Sequence, residues 1–269
     1  MDEMARRAQG EKGQTERGEK GRAAQMPQMP KTAQKVQKKG AAESFAGFSP
    51  ETVEFLWGIR FNNSREWFLP RKEQYLSCLY NPMLSLSYEL YAYLQKKRPD
   101  AALTRKVSRI YRDARRLFGR GPYKDHLWLS VEPPSDDWTG KPTYWFEVSP
   151  DGWSYGLGYW QPPPVTMAKL RARIGRDPEA MEKLTRRLNR SREFTLDTVA
   201  YKRPKSPPPS DLLAPWYKAK SVTIIHEEPW TELLYGRELV DRLEQGMKFL
   251  LPFFDYLQSV EAEPDPETL

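Results

Sequence analysis

The chain has 269 residues, of which 39% are hydrophobic, 13% aromatic and 29% charged, and its formal net charge is +7. This composition excludes a chain that is disordered throughout, and the longest apolar runs fall far short of the roughly 20 residues that a membrane-spanning helix needs. The single cysteine, Cys78, excludes an intramolecular disulfide and a multi-thiolate metal site, and two histidines exclude a His-rich zinc site. We therefore expect no metal, no cofactor and no membrane partner.

Residues 1–42 contain ten basic and five acidic side chains and almost no aliphatic or aromatic ones. Such a segment cannot offset the entropy cost of ordering, so we predict a disordered, basic, low-complexity extension. Its charge would attract nucleic acid weakly and without sequence preference. The segment has neither the apolar core of a secretory signal nor the composition of a transit peptide, and a cytoplasmic location is the expectation.

The rest of the chain is nearly neutral, with 33 basic and 31 acidic residues. We predict a single α+β domain over 43–258 and an acidic, frayed tail over 259–269. The first third is expected to be helical. Residues 49–51 (Ser-Pro-Glu) and 62–64 (Asn-Asn-Ser) are typical helix starts, Pro70 is expected to kink or restart the second helix, and Pro82 to begin a third.

From Ala101 the hydrophobic period changes to two, which is typical of strands. We predict five strands, joined mainly as an antiparallel meander: 101–112, 126–132, 143–149, 153–160 and 221–228. Helical periodicity returns at 165–174 and 179–190, and a long final helix over 231–258 is expected to be interrupted near Gly246 and Pro252. The predicted fold class is α+β, a mainly antiparallel sheet of about five strands flanked by N-terminal and C-terminal helices.

The segment 104–126 has a strong local excess of positive charge, with two acids, Asp113 and Asp125, against eight basic residues. The strand alternation puts Arg112 on one face and Arg109 on the other, so at least one arginine must be paired or must line a pocket. The basic residues are Arg105, Lys106, Arg109, Arg112, Arg115, Arg116, Arg120 and Lys124.

The turn LFGRGPYK contains two glycines, which allow backbone amides to converge on an anion. It lacks the G-x-x-x-x-G-K-[ST] spacing of a P-loop. A structural hairpin, in which arginines and aspartates form ion pairs, explains the same composition.

Several motifs of the chain occur in a characteristic order: FSPETVEFL, FNNSREWF, RIYRDARRLFGRGPYKDH, GYWQP and RARI. In this order they resemble the domain of unknown function 2461 family of bacteria and fungi, over about Phe45 to Tyr256. The family pattern R-x-Y-R-D-x-R followed by P-Y-K falls on residues 109–115 and 122–124, while the loop 116–121 keeps its length but lacks an acid and a lysine of the family. The resemblance implies no particular activity. Supporting positions that match the family include Asn63, Trp67, Trp160 and Arg173.

The two histidines and the aromatic strand residues each allow a functional and a structural interpretation. His126 follows Asp125 near the basic cluster, where it could carry a proton or simply be a hydrogen-bonded strand residue, and His226 lacks the H-E-x-x-H spacing. Aromatic residues over 153–160 could stack bases or form the core. Gly156 and Gly158 indicate a bulge or a close approach of another backbone or a ligand.

We expect the Arg109–His126 strand and loop to bind a small anionic, phosphate-bearing ligand. Asp113 would hold an arginine in place. Two alternatives remain: a hydrolase or transferase of phosphorylated substrates in which Asp113 or His126 moves protons, and a protein-interaction domain whose arginine network is purely structural. The expected anion contacts are Arg109, Arg112, Arg115 and Lys124, and the expected orienting residues are Tyr111, Tyr123 and His126.

Overall fold

The computed structural model describes residues 44–113, 115, 117, 119–135, 138–202 and 206–266. Within them, one antiparallel sheet of six strands is flanked by helices that precede and follow it in the chain. The predicted α+β class is confirmed, with six strands where about five were expected. The predicted extension over 1–42 lies outside the described residues. In the described part of the chain, no helix is long and apolar enough to cross a membrane.

Of the α-helices in the described residues, four precede the strands, three lie between the fourth and the sixth strand, and one follows them. The α-helices are α1 (Pro50–Phe61), α2 (Arg65–Phe68), α3 (Lys72–Tyr75), α4 (Asn81–Lys97), α5 (Pro164–Arg176), α6 (Pro178–Asn189), α7 (Ala214–Tyr217) and α8 (Glu238–Ser259). The strands are β1 (Thr104–Val107), β2 (Leu127–Glu132), β3 (Thr143–Ser149), β4 (Gly152–Gly158), β5 (Thr195–Ala200) and β6 (Ala219–Glu228).

In the helical first third, helices begin and break close to the predicted positions. Ser49 is the N-cap of α1, and the Thr52 hydroxyl accepts a hydrogen bond of 3.1 Å from the Ser49 amide. The Pro70 turn is a 3-10 segment, Leu69–Arg71, because proline cannot donate the hydrogen bond of a regular α-turn. A π-helical turn over Leu76–Tyr80, which the periodicity does not indicate, then joins α3 to α4.

The sheet order is β1-β2-β3-β4-β6-β5, so the predicted meander of the first four strands is confirmed. β5 is the strand that the periodicity did not reveal. It is an edge strand whose side chains are exposed or half-buried, so its sequence TLDTVA lacks the apolar alternation of a half-buried strand. β1 is shorter than predicted and ends at Val107, after which the chain leaves the regular ladder.

The final helix α8 runs without interruption through Gly246 and Pro252, so the predicted break is wrong. Gly246 permits close packing: a Cβ at this position would lie 2.1 Å from the Tyr155 hydroxyl oxygen. Residues 231–237 do not belong to the helix and contain a 3-10 turn, Glu232–Tyr235.

The core lies between the helices and one face of the sheet. That face presents alternate residues of the central strands, and α4 and α8 pack against it. Packing continues past Gln258, because Val260 is buried and Glu263 pairs with Arg173 at 3.1 Å. The opposite face carries the intervening residues of the same strands, among them Trp128, Glu147 and Ser154, which are neighbours in register.

Candidate functional site

The basic segment forms an irregular hairpin with a bulge that contains two half-buried titratable residues, Asp125 and His126. The Ser108 amide donates to the Trp128 carbonyl at 2.8 Å, and the Lys124 amide donates to the Ile110 carbonyl at 2.7 Å. Between these two pairs, Arg109 alone faces three residues, 125–127 (Asp-His-Leu). Bulges of this kind redirect side chains and are common next to functional sites.

Asn63 fixes the hairpin to the helical layer. Its side-chain amide donates to the Tyr123 carbonyl and accepts from the Tyr123 amide, both at 2.9 Å. Gly121 permits this approach, because a Cβ there would lie 2.2 Å from the Asn63 amide oxygen. Tyr111 forms an isolated β-bridge with Tyr123, so one asparagine orders both sides of the hairpin.

Asp125 is the main carboxylate of the cluster. It accepts a 2.7 Å hydrogen bond from Arg60 Nε, and it lies 3.4 Å from Arg112 Nη2 and 3.3 Å from His126 Nδ1. Burial by itself would raise the pKa of Asp125, but its hydrogen bonds with Arg60, a backbone amide and His126 lower it on balance. Arg60 also pairs with Asp151 in the β3–β4 turn, at 2.8 Å.

The remaining cations of the hairpin have less compensation. Lys124 is half-buried and lies 5.9 Å from the Trp128 ring, and burial together with the charges of Arg112 and Arg109 lowers its pKa against an opposing effect of Glu147. Arg112 donates to the Tyr123 carbonyl at 2.7 Å, and burial lowers its pKa. Among the described residues, neither Lys124 nor the exposed Arg109 forms an ion pair within 4.0 Å. These groups form a cationic surface that is only partly neutralised.

Asp113 and His126 lie in different surroundings. Asp113 accepts three hydrogen bonds from Arg115, one from its amide and two from its guanidinium, so it holds an arginine as the sequence suggested. His126 is half-buried, and burial lowers its pKa despite the neighbouring Asp125. Its surroundings therefore favour the neutral form of the imidazole.

The four supporting residues lie in different places. Asn63 is hydrogen-bonded to the hairpin from the helical layer. Trp67 packs against Phe55 and against Gly58, where a Cβ would lie 2.5 Å from the indole. Trp160 is 66% exposed beyond the end of β4 that is remote from the hairpin, and Arg173 pairs with Glu263 under the C-terminal helix. None of the contacts described for Trp160 and Arg173 connects them to the hairpin.

The aromatic residues over 153–160 also differ in their surroundings. Trp153, Tyr155 and Tyr159 are buried in the core and only Trp160 is exposed, so the core interpretation applies to the first three. Gly156 allows a close approach by the neighbouring strand, because a Cβ would lie 2.1 Å from the Ile224 carbonyl oxygen. His226 lies 2.9 Å from the Glu193 carbonyl, within the protein's own hydrogen-bond network.

Glu147 is the residue that sequence reasoning missed. It lies on β3, lines a cavity of about 390 Å³, and faces Asp125 and Lys124 from the hairpin and Glu227 from β6. Burial, the nearby Asp125 and Glu227 raise the pKa of Glu147 to about 7, against an opposing effect of Lys124. The sequence contains one signal, an acid within the aromatic strand TYWFEVS, but its charged neighbours are distant in sequence.

The cavity beside Glu147 has an acidic lining. Asp151, Glu227 and Glu228 contribute to it, while the cations lie on the hairpin side of Glu147. Among the described residues, no group of three or more histidine, cysteine or acidic side chains is arranged to hold a metal ion. The arrangement can bind an anion at the cations and exchange a proton at Glu147 near neutral pH.

The fold and the site together define a class: an α+β protein with an antiparallel sheet and a cationic hairpin fixed to its N-terminal helices. The chain belongs to the family described as conserved hypothetical protein (DUF2461), whose model matches residues 51–256. The resemblance found in the sequence motifs is thereby confirmed. No curated protein is significantly similar to the chain.

Proposed function

We propose that the Arg109–His126 hairpin binds an anionic, phosphate-bearing ligand through Arg109, Arg112 and Lys124. One observation carries this proposal: Lys124 is half-buried beside two arginines, no carboxylate in the described part of the chain lies within ion-pair distance of it, and the charge of Glu147 offsets only part of the lowering of its pKa. A half-buried cation next to like charges is unfavourable unless an anion joins it. Tetrahedral oxyanions suit this arrangement, because guanidinium and ammonium groups donate several hydrogen bonds to them.

Other cations of the cluster provide the contrast that supports the proposal. Arg60 is satisfied by Asp125 and Asp151, and Arg115 is satisfied by Asp113. A purely structural network would pair Lys124 and Arg109 in the same way. We further propose a cytoplasmic location, with which the free, buried Cys78 is compatible.

The test is the thermal stability of the full chain in pyrophosphate, compared with sodium chloride of equal ionic strength. Specific binding raises the melting temperature in a saturable manner. Lys124→Gln and Arg109→Ala should remove this response, whereas Arg192→Ala, which removes an exposed arginine elsewhere, should keep it. A response that is absent in the wild type, or equal in all four proteins, would overturn the proposal.

A second candidate function, hydrolysis or group transfer on a phosphorylated substrate, is favoured by Glu147. Its carboxyl group lines the acidic cavity, is affected by the charge of Lys124 on the hairpin, and titrates near the working pH, as a general acid or base must. Turnover of p-nitrophenyl phosphate, measured from pH 5 to 9, tests it. We expect an inflection near pH 7 that disappears in Glu147→Gln; no turnover, or an unchanged profile in the variant, contradicts this candidate for that class of ester.

A further inference from the structure

Two aromatic rings stand exposed close to the cationic hairpin. Phe61, the last residue of α1, is 75% exposed, and Tyr111, on the hairpin itself, is 43% exposed. Both belong to one local region. Phe61 is two residues before Asn63, Asn63 is hydrogen-bonded to Tyr123, and Tyr123 forms a β-bridge with Tyr111. Exposed rings beside an excess of positive charge form a candidate binding surface.

Both rings are held by other aromatic residues. Phe61 stacks on Trp57 with ring centroids 5.5 Å apart and an interplanar angle of 15°. Tyr111 packs edge-on against Phe68 at 6.0 Å and tilted against Tyr123 at 5.3 Å. Each ring is thus supported by a partner and also accessible to solvent, which lowers the entropy cost of stacking another ring on it.

Positive charge surrounds these rings. The Arg60 guanidinium lies 5.0 Å from the Trp57 ring, and Arg109 is two residues before Tyr111 in the chain, on the same face of the alternating segment. Arg65, at the start of α2, lies beside Tyr123 and opposes the rise that burial causes in its pKa. Aromatic platforms among arginines are the combination with which proteins hold single-stranded nucleic acid, whose bases stack while its phosphates pair with the cations.

We infer that the surface formed by Phe61, Tyr111, Arg65 and Arg109 binds single-stranded nucleic acid. The inference rests on the proposed anion site and names its ligand: the phosphates contact the hairpin cations, and bases stack on the two rings. A strand fits better than a free nucleotide, because the rings lie on the open surface, whereas small ligands are mostly enclosed. A duplex fits poorly, because its bases present no free faces to a ring.

The experiment is fluorescence anisotropy of labelled 12-nucleotide oligothymidylate and oligouridylate with the full chain. Residues 1–42 are present in every variant, so their basic side chains contribute equally throughout. Phe61→Ala and Tyr111→Ala should each weaken binding about 10-fold or more, the usual effect of removing a stacking ring. Tyr111→Phe and Phe61→Trp keep a ring and should bind like the wild type.

Two matched controls isolate this surface. Trp160→Ala removes an aromatic ring that is 66% exposed at the remote end of β4, and Arg192→Ala removes an exposed arginine; both should bind like the wild type. A 12-base-pair duplex should compete less well than the single strand. Melting temperatures of all variants establish that they are folded.

The outcomes separate this inference from the proposed anion site. If the ring variants bind the oligonucleotides as well as the wild type, or if tripolyphosphate and the single strand compete equally at equal charge, the inference fails. If pyrophosphate still raises the melting temperature in that case, the anion site stands without it. If oligonucleotides and pyrophosphate both fail to bind, both proposals fall.

Discussion

The side-chain amide of Asn63 and the main chain of Tyr123 are joined by two hydrogen bonds of 2.9 Å, one in each direction. Asn63 thereby acts like a short strand that pairs with the hairpin. The connection spans 60 residues of sequence and holds the basic segment against the N-terminal helices.

Asn63→Ala should therefore destabilise the protein. The Tyr123 amide loses its partner in a buried position, which costs about 2 kcal/mol, or roughly 4–8 °C in melting temperature for a domain of this size. The matched control is Asn62→Ala, which removes an exposed hydrogen bond to the Gly58 carbonyl and should cost about 0.5 kcal/mol. Equal losses in the two variants would contradict the assigned role of Asn63.

A second prediction concerns packing of α8 on the sheet. Gly246→Ala should destabilise the protein by about 1–3 kcal/mol, although alanine is the better helix former, because the new methyl group meets the Tyr155 hydroxyl group. Tyr155 is itself hydrogen-bonded to Glu193, which restricts its movement. Gly175→Ala, on α5, is the control: the nearest atom to its Cβ is 3.6 Å away, so we expect a gain of about 0.5–1 kcal/mol. Urea unfolding measures whether each substitution lowers or raises the free energy of unfolding.

The third prediction is a pH dependence due to Glu147. Its pKa is raised from 4.5 to about 7 in the folded state, so its ionisation destabilises the fold as the pH rises between these values. Glu147→Gln removes that effect. The free energy of unfolding of the variant minus that of the wild type should increase from pH 4.5 to 8, by about 3 kcal/mol, and stay level above.

His126, whose pKa is lowered, gives the opposite slope below pH 6.5. It is present in both proteins and cancels in the difference. A difference that does not change with pH would show that the Glu147 carboxyl group titrates at its ordinary value in the folded protein.

The sequence predicted the helices of the first third and β3 because their apolar residues repeat with clear periods. It did not predict β5, whose side chains are largely exposed, nor the continuity of α8 through Gly246, which depends on the position of Tyr155. Propensity describes a residue's own backbone, whereas both features depend on contacts with distant residues.

The candidate site, like the fold, was only partly predictable from the sequence. The excess of cations over 104–126 is visible in the sequence, but the pairing is not: Arg60 contacts Asp125 and Asp151, 65 and 91 residues away. Only these ion pairs distinguish the cations that have a carboxylate partner from Lys124. The altered pKa of Glu147 likewise depends on charges from the hairpin and from β6, which share no local pattern with β3.

The last prediction compares the two carboxylates that share Arg60. The Asp125 side chain is 21% exposed and also faces Arg112, whereas the Asp151 side chain is 67% exposed. Asp125→Asn leaves the nearby cations without their main counter-charge and should cost about 1–3 kcal/mol. Asp151→Asn should leave the melting temperature nearly unchanged, because exposed ion pairs contribute little.

The pH profile of these variants provides an independent check. The pKa of Asp125 is lowered from 3.8, so its stabilising effect is present above that value and is lost as the pH falls through the lower folded-state pKa. Asp125→Asn should therefore lose less stability than the wild type below pH 3.8. Denaturant unfolding at pH 7 and in acid measures both effects; if Asp151→Asn proves the more damaging substitution, Arg60 depends on the turn and not on the hairpin.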